Sequence, residues 1–390
     1  MTSYVYHGPR FAMLALFFVH GFVYAAWVSR IPSIQARLGL TTTELGLVLL
    51  GFAAGAIPAM VLSGAVSARH GSRPVLAAAT LAFCAALPGM ALAGNGPLLF
   101  AALVLFGAAG GSMDVAKNAH ASELERLAGG SFMSTFHAFF SLGAMAGAGI
   151  GALAGGAGVA PVPHLSVAAA AAGVVAMVAA RRLLPASTDA QPHGTVLAKP
   201  SRALLALAAF AFAMVLSEGA MADWSAVYLG RVLLAEPAVA PLGYACFSAA
   251  MTAGRLGGDR LSLRLGRVTT VRAGTLLGAA GLVVALLASS PLQALAGFAA
   301  VGAGFSVVVP LIFSAAARRA SSAGVGMATV VTAGYAGLLT GPPLIGALAA
   351  ATSLRTALFL PSGLALVGFA LASQTADPER VRAVPALSER

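Results

Sequence analysis

Long apolar runs separated by short polar breaks dominate this sequence. A helical run of about 20 residues crosses the roughly 30 Å hydrocarbon core of a lipid bilayer. Only 9% of the residues are charged and 59% are hydrophobic, whereas soluble domains carry about 25% charged residues. A soluble fold lacks the polar surface to cover so many apolar side chains. The chain is therefore predicted to be an all-α, multi-pass membrane protein.

The apolar runs divide into twelve predicted transmembrane helices. They cover residues 11–30, 44–67, 74–93, 97–120, 132–157, 163–184, 203–224, 239–261, 268–289, 292–315, 324–348 and 354–373. The longest charged break follows the sixth run and carries three prolines, which is typical of a linker. This spacing predicts an N-terminal six-helix bundle over 1–184, a cytoplasmic linker over 185–202, a C-terminal six-helix bundle over 203–373 and a cytoplasmic tail over 374–390.

The basic residues predict the orientation of the chain. If the N-terminus is cytoplasmic, 19 of the 23 Lys and Arg residues fall on the cytoplasmic side and four fall outside. Cytoplasmic loops of membrane proteins are enriched in Lys and Arg. We therefore expect both termini to be cytoplasmic, in a cell (cytoplasmic or inner) membrane. The net charge of +11 comes from single and paired residues at the ends of apolar runs, which argues against a nucleic-acid partner.

An internal repeat predicts that the two bundles are pseudo-symmetric. The stretch Ile150–Ala154 recurs as Ile345–Ala349, an offset of 195 residues. The same offset carries Phe52 onto Phe247, Gly107-Ala108 onto Gly302-Ala303, and Ser67-x-Arg69-x-Gly71 onto Ser262-x-Arg264-x-Gly266. Two such halves in parallel topology place a binding site between them, near the middle of the membrane.

Ionisable residues inside the predicted helices are candidates for proton coupling. Asp114 in the fourth helix and His137 in the fifth lie at similar depth, and Glu218 lies in the seventh. An ionisable group in a membrane span is costly, so function is the default interpretation. The alternative for Asp114 is a structural ion pair or a helix cap. Lys117 is expected to extend toward the cytoplasm or to pair with Asp114, and direct contact with the substrate is the alternative.

Other side chains are candidates for substrate binding or gating. His20, Tyr24 and Trp27 share one face of the first helix, a pattern that suits a sugar or an amphipathic solute. Helix–helix packing is the alternative. Asn118 lies one turn after Asp114 on the same face. Arg30 and Asp223 lie near the outer ends of helices 1 and 7, and we hypothesise an ion pair that closes the outer side; interfacial anchoring is the alternative.

The loop between the second and third helices carries a recognisable motif, Gly64-x4-Arg69-x-Gly71-x-Arg73. With twelve helices arranged as six plus six, the chain resembles the major facilitator superfamily. The aspartate of that family's loop signature is replaced here by Ala68, whereas the second-half copy keeps an acid at Asp259. The resemblance implies a charge network on the inner side that contributes to gating, formed by Arg69, Arg73, Asp259 and Arg264.

Within this superfamily the chain resembles the fucose:proton-symporter group. The motifs are Phe17-Phe18-Val-His20-Gly21, Asp114-x3-Asn118, Ser134-Thr135-Phe136-His137-x3-Ser141, Glu218-Gly219-x3-Asp223-Trp224 and Gly334-Tyr335-x-Gly337. The resemblance implies that Asp114 couples protons and adds Phe136, Ser141, Trp224 and Tyr335 to the substrate-binding candidates. The aspartate which that group carries near the outer end of helix 1 is missing, because Val28-Ser29-Arg30 occupies this stretch.

These observations predict a secondary transporter that moves a small organic solute by alternating access. Proton-coupled symport of a sugar or related polar solute is the first hypothesis, and proton-antiport efflux of an amphipathic compound is the second. A non-transporting receptor and an intramembrane enzyme are more remote alternatives. No phosphate-binding Gly-x4-Gly-Lys motif occurs in the sequence. We expect no cofactor and no metal site, membrane lipid and protons as partners, and a monomer.

Overall fold

The computed structural model describes residues 6–128, 132–188, 201–319 and 323–376. In these ranges the only regular secondary structure is helical, with no strand, and short turns and loops connect the helices. The α-helices are α1 (His7–Val28), α2 (Ile31–Leu38), α3 (Thr42–His70), α4 (Ser72–Leu92), α5 (Gly96–Ala128), α6 (Met133–Gly156), α7 (Pro161–Ala180), α8 (Arg202–Arg231), α9 (Leu242–Leu265), α10 (Arg267–Leu287), α11 (Pro291–Phe305), α12 (Val308–Arg319), α13 (Ala323–Ala351), α14 (Leu354–Ala357) and α15 (Phe359–Leu371).

Each predicted membrane segment corresponds to one helix or to two consecutive helices. The first segment continues past α1 into the short α2, the tenth comprises α11 and α12, and the twelfth comprises α14 and α15. Eleven helical segments of the described chain are long and apolar enough to cross a membrane. The twelfth, α9, falls outside that set and carries the charged residue Arg255 in its interior. The prediction of an all-α membrane protein is confirmed.

Local sequence signals set several helix ends. At the start of α3, Thr41 and Glu44 form a reciprocal capping box, in which each side chain accepts a hydrogen bond from the other residue's backbone N–H. Gly71 ends α3 and Gly266 ends α9, both with φ +80°, a conformation that favours glycine. Because these two glycines are 195 residues apart, the two halves turn in the same way at equivalent points.

The packing of the helices reproduces the sequence repeat. In the first half α1 packs on α6 and α3 on α5, and in the second half α8 packs on α13 and α9 on α11. The Cα of Gly107 lies so close to the carbonyl of Phe52 that a Cβ there would overlap the oxygen. Gly302 makes the same approach to the carbonyl of Phe247. The predicted pair of pseudo-symmetric bundles is therefore present.

The two bundles meet chiefly along two helix pairs, α3 with α13 and α6 with α9, with smaller contacts of α1 and α2 on α8. At the predicted outer end, Thr43 Oγ1 donates a 3.4 Å hydrogen bond to the carbonyl of Gly346. Gly155, near the end of α6, faces the carbonyl of Pro237 in the α8–α9 loop. These contacts hold the two bundles together at the predicted outer end of the molecule.

Most of the predicted linker and of the tail, 189–200 and 377–390, lies outside the described residues, so those boundaries stay predictions.

Candidate functional site

A cavity of about 210 Å³ lies between the two bundles. Helices of both halves form its wall, namely α1, α3, α5 and α6 on one side and α8, α9 and α13 on the other. The polar side chains on the wall are His20, Tyr24, Asp114, Ser141, Glu218, Tyr244, Ser248, Arg255 and Tyr335. Aromatic and aliphatic side chains complete it, among them Phe52, Phe140, Phe247 and Met251.

Helical periodicity explains which side chains reach this cavity. On α9, Tyr244, Ser248, Met251 and Arg255 follow one another at intervals of four, three and four residues. That spacing places them on one face of the helix. The predicted stripe on α1 reaches the cavity through His20 and Tyr24. Each helix thus contributes one narrow face to the wall.

The most connected polar residue on the wall is Asp114. Its Oδ1 lies 2.8 Å from the Nζ of Lys117, one turn further along α5. The same oxygen lies 4.0 Å from Nδ1 of His20 on α1, and Lys117 Nζ also contacts that His20 nitrogen. The other oxygen, Oδ2, accepts a 2.6 Å hydrogen bond from the hydroxyl of Tyr335. Asp114 therefore connects two helices of the first bundle with α13 of the second.

Lys117 does not extend toward the cytoplasm, and that expectation is wrong. Its side chain is 1% exposed, and its ammonium lies 4.7 Å from the ring centre of Phe17 and 5.1 Å from that of Phe140. A buried ammonium needs a counter-charge, which Asp114 supplies. The aromatic faces add cation–π attraction. Pairing with Asp114, the other option that the sequence left open, is what the structure contains.

On the opposite wall, Arg255 and Glu218 form a second charged group. Arg255 Nη1 donates a 2.8 Å hydrogen bond to Ser141 Oγ, so that it connects α9 to α6 across the two bundles. Its Nε and the Oε1 of Glu218 are both buried and make no hydrogen bond within the described chain. Unpaired buried polar groups are unusual in proteins. Arg255 and Glu218, whose side chains line the cavity, thus each hold one enclosed polar atom without a partner in the described part of the chain.

A comparison with known families decides what kind of protein has this arrangement. The model of the Major Facilitator Superfamily matches residues 12–339. The chain belongs to the major facilitator superfamily. It is accordingly a secondary transporter whose substrates are small molecules, and the cavity between its bundles is the candidate site of this transporter.

Similar proteins and structures support this assignment. An uncharacterised MFS-type transporter of Yersinia pestis is 38% identical over 343 residues, which cover 87% of this chain and 89% of that one. Membrane protein MosC of Rhizobium meliloti is 36% identical over 348 residues, 88% of this chain and 84% of that one. A mutant of the nucleoside transporter NupG has TM-score 0.77 at 12% identity, over 94% of this chain and 99% of that one. The E. coli fucose:proton symporter FucP has TM-score 0.65 at 16% identity, over 95% and 99%.

The structure brings about half of the predicted binding and coupling residues of this transporter to the cavity. Those on its wall are Asp114, Glu218, His20, Tyr24, Ser141 and Tyr335. Trp27 lies beside it, in a small adjoining pocket that it shares with Asp223.

Four predicted residues are placed elsewhere. Asn118 does not line the cavity. Its Nδ2 donates a 2.9 Å hydrogen bond to the backbone carbonyl of Asp114. Phe136 is fully buried and stacks on Phe17. Trp224 is also fully buried and is absent from the wall. The imidazole of His137 packs edge-on against Phe17, and His20 takes the expected place of this histidine beside Asp114.

The gating predictions have mixed outcomes. Arg30 does not pair with Asp223 in this structure; its Nε donates a 2.9 Å hydrogen bond to Nδ1 of His164 on α7. The ion pairs of the described chain include neither residue. Arg69 and Arg264 are exposed at the ends of α3 and α9, and Arg73 is half-buried in the first turn of α4. The side chain of Asp259 lies outside the described part, so the inner charge network stays a prediction.

Sequence reasoning missed Arg255, Tyr244 and Ser248 as cavity residues. A signal for Arg255 was present, because the residue lies inside the predicted span 239–261 and an ionisable group there warrants a functional interpretation. Arg255 is one of the 19 basic residues that the sequence places on the cytoplasmic side, and it was therefore not considered as a cavity residue. The regular spacing on α9 would have added the other two. Within the described residues, no cluster of three His, Cys, Asp or Glu side chains could hold a metal ion.

Proposed function

We propose that the protein is a proton-coupled transporter in which Asp114 is the coupling carboxylate. The observation that carries this proposal is the position of Asp114: its carboxylate lies on the cavity wall and is shared between Lys117 of its own helix and Tyr335 of the other bundle. A proton arriving at this group changes a contact within one bundle and a contact between the bundles at the same time.

Protonation of Asp114 has a direct structural consequence. A neutral carboxyl group attracts the Lys117 ammonium less and accepts a weaker hydrogen bond from the Tyr335 hydroxyl than a carboxylate does. Loss of these interactions weakens the contact between α13 and α5 at the cavity wall. Glu218 is the second candidate, since its Oε1 is buried in the wall without a partner among the described residues. The other predicted residues on the cavity wall, His20, Tyr24, Ser141 and Tyr335, are proposed to bind the solute around this centre.

The substrate is proposed to be a small polar organic solute such as a sugar. The guanidinium of Arg255 and the carboxylate of Glu218 line the cavity, and each is proposed to hydrogen-bond a solute hydroxyl once the enclosed Nε and Oε1 become accessible. Tyr24, Phe52 and Tyr244 supply flat faces on which the apolar side of a ring stacks. Two acids and one arginine lie on the wall, Asp114, Glu218 and Arg255, and Lys117 neutralises Asp114 from behind it, so the site suits a solute with little net charge.

Efflux of an amphipathic compound by proton antiport is the second proposal. It is favoured by the largely aromatic and aliphatic wall, to which Phe140, Phe247 and Met251 contribute. The two proposals share Asp114 as the coupling residue and differ in which direction of pH gradient drives accumulation. We place the protein in the cytoplasmic or inner membrane as a monomer with both termini in the cytoplasm, on the strength of the basic-residue distribution.

Transport into proteoliposomes tests the coupling proposal. Purified protein is reconstituted and challenged with labelled sugars, nucleosides and amphipathic cations, with an imposed pH gradient of either sign. Symport predicts accumulation on the side toward which protons flow, and antiport predicts the reverse. Asp114→Asn is expected to lose the effect of the gradient while still binding the solute. Glu236→Gln removes an exposed acid in the α8–α9 loop and is the matched control.

The outcome that overturns the role of Asp114 is a gradient response of the same size in Asp114→Asn and in Glu236→Gln. In that case the same measurement on Glu218→Gln decides whether coupling depends on the opposite wall.

A further inference from the structure

A second concave surface lies on the outside of the first bundle, away from the transport cavity. It is a groove of about 920 Å³ between α3, α4 and α5. Ala59, Leu62 and Val66 of α3 form one side of this lateral groove, Ala78 of α4 and Leu105 of α5 form others, and His70 lies at one end. Leu62 and Leu105 are each 68% exposed, so the groove opens sideways, where the bilayer surrounds a membrane protein.

The length of the lateral groove matches one leaflet of a bilayer. From Ala59 to His70 the helix advances by about 16 Å at 1.5 Å per residue. Half of the hydrocarbon core is roughly 15 Å thick. The apolar part of the groove therefore extends from near the middle of the bilayer to the level of the lipid headgroups, ending at the turn between α3 and α4.

That end of the groove is basic. Arg69 is exposed in the last turn of α3, next to His70, and Arg73 is half-buried at the start of α4. The ion pairs of the described chain include neither arginine. Position 68, where a carboxylate would neutralise this turn, is Ala68. Each arginine directly precedes a residue that lines the groove, Arg69 before His70 and Arg73 before Pro74. An apolar channel that ends beside two arginines without a counter-ion in the described chain is complementary to a molecule with a long apolar chain and an anionic head.

We propose that the lateral groove is a binding site for a phospholipid with an anionic headgroup. An acyl chain fills the groove along Leu62, Val66 and Leu105, and the phosphate is held by Arg69 and Arg73. Arginine binds phosphate with two parallel hydrogen bonds, which gives the site directional selectivity in addition to charge. The lipid thereby supplies the negative charge that Ala68 lacks, at a turn the transporter is predicted to use in gating.

Native mass spectrometry of the full-length protein in detergent tests this site. The protein is titrated with phosphatidylglycerol and with phosphatidylcholine of the same acyl chains, and the bound fraction of each is followed. The wild type is expected to retain phosphatidylglycerol preferentially. The double variant Arg69→Ala/Arg73→Ala is expected to lose about five-fold in phosphatidylglycerol affinity for each arginine removed, about 25-fold in all, with phosphatidylcholine unchanged.

The sequence repeat supplies a matched control. Arg264 occupies the position equivalent to Arg69 in the second half and is likewise exposed at a helix end. Arg264→Ala is expected to leave the preference of this site intact. Ala78→Phe fills the groove while both arginines remain, and it is expected to weaken retention of both lipids. This variant also keeps the test valid if the double variant does not fold.

Two results would overturn the proposal. One is equal retention of phosphatidylglycerol and phosphatidylcholine by the wild type. The other is an Ala78→Phe protein that retains phosphatidylglycerol as the wild type does. A loss in Arg264→Ala as large as in the double variant would likewise contradict a site at Arg69 and Arg73.

Discussion

Tyr335 donates a 2.6 Å hydrogen bond to Asp114, although 221 residues separate them in the chain. The bond joins α13 of the second bundle to α5 of the first, at the wall of the central cavity. Its acceptor oxygen belongs to a carboxylate that also pairs with Lys117. One ionisable group thus holds an interaction within a bundle and an interaction between bundles, and this is what a coupling site in an alternating-access transporter requires.

Removing the Tyr335 hydroxyl is expected to weaken the contact between the bundles. Hydrogen bonds to charged groups contribute about 1.5–3 kcal/mol, so Tyr335→Phe is expected to lower the free energy of unfolding by that amount. The measurement is reversible unfolding of the purified protein in detergent. In an Asp114→Asn background the same substitution is expected to cost clearly less, because its charged acceptor is gone.

Tyr24→Phe is the control for this prediction. Tyr24 also lines the cavity, but its hydroxyl makes no hydrogen bond to any of the described residues. A loss of stability in Tyr24→Phe equal to that in Tyr335→Phe would show that the phenol group matters in general and not its bond to Asp114.

Loss of the Lys117 charge is expected to destabilise the first bundle. Lys117→Met keeps the length of the side chain but leaves the Asp114 carboxylate without its cation. Breaking a buried pair by removing one partner costs about 3–5 kcal/mol. Thermal unfolding measures the loss. Removing both charges in Lys117→Met/Asp114→Asn is expected to recover much of the stability, and a double variant less stable than Lys117→Met would contradict this account of the pair.

Arg255 is expected to determine solute binding. Arg255→Gln removes a guanidinium from the cavity wall and is expected to weaken solute binding at least ten-fold, about 1.4 kcal/mol. The readout is the ligand-induced shift of Tm, using a solute identified in the transport screen. Arg260→Gln, an exposed arginine on the same helix, is expected to bind as the wild type does. Equal binding by both variants would remove Arg255 from the site.

The repeat-related glycines are expected to be intolerant of substitution. Gly107→Ala places a Cβ against the carbonyl of Phe52, and overpacking of this kind costs about 1–3 kcal/mol. Gly149→Ala on α6 is the control, since nothing lies within 4 Å of its Cβ position. Size-exclusion profiles and Tm values of the two variants measure the difference. Gly107→Ala as stable as Gly149→Ala would mean that α3 and α5 can separate without loss.

The sequence alone determined the architecture. Apolar runs long enough to span a bilayer, an offset repeat of 195 residues and charges at the ends of the runs predict the all-α membrane fold and its two equivalent bundles. These features are local or periodic along the chain. Asp114, Glu218 and His20 could be selected in the same way, because an ionisable side chain inside an apolar run is visible without knowing its neighbours.

Only the tertiary structure decided which side chains meet. The sequence placed His137 beside Asp114 from depth alone, whereas the rotation of α6 turns that imidazole onto Phe17 and brings His20 to Asp114. It favoured a Lys117 that extends into the cytoplasm, whereas the helices around it leave that side chain 1% exposed. Depth follows from counting residues along a helix. Direction around the helix axis and the identity of the facing residue depend on how separate helices pack, and residues such as Asp114 and Tyr335 become partners only through that packing.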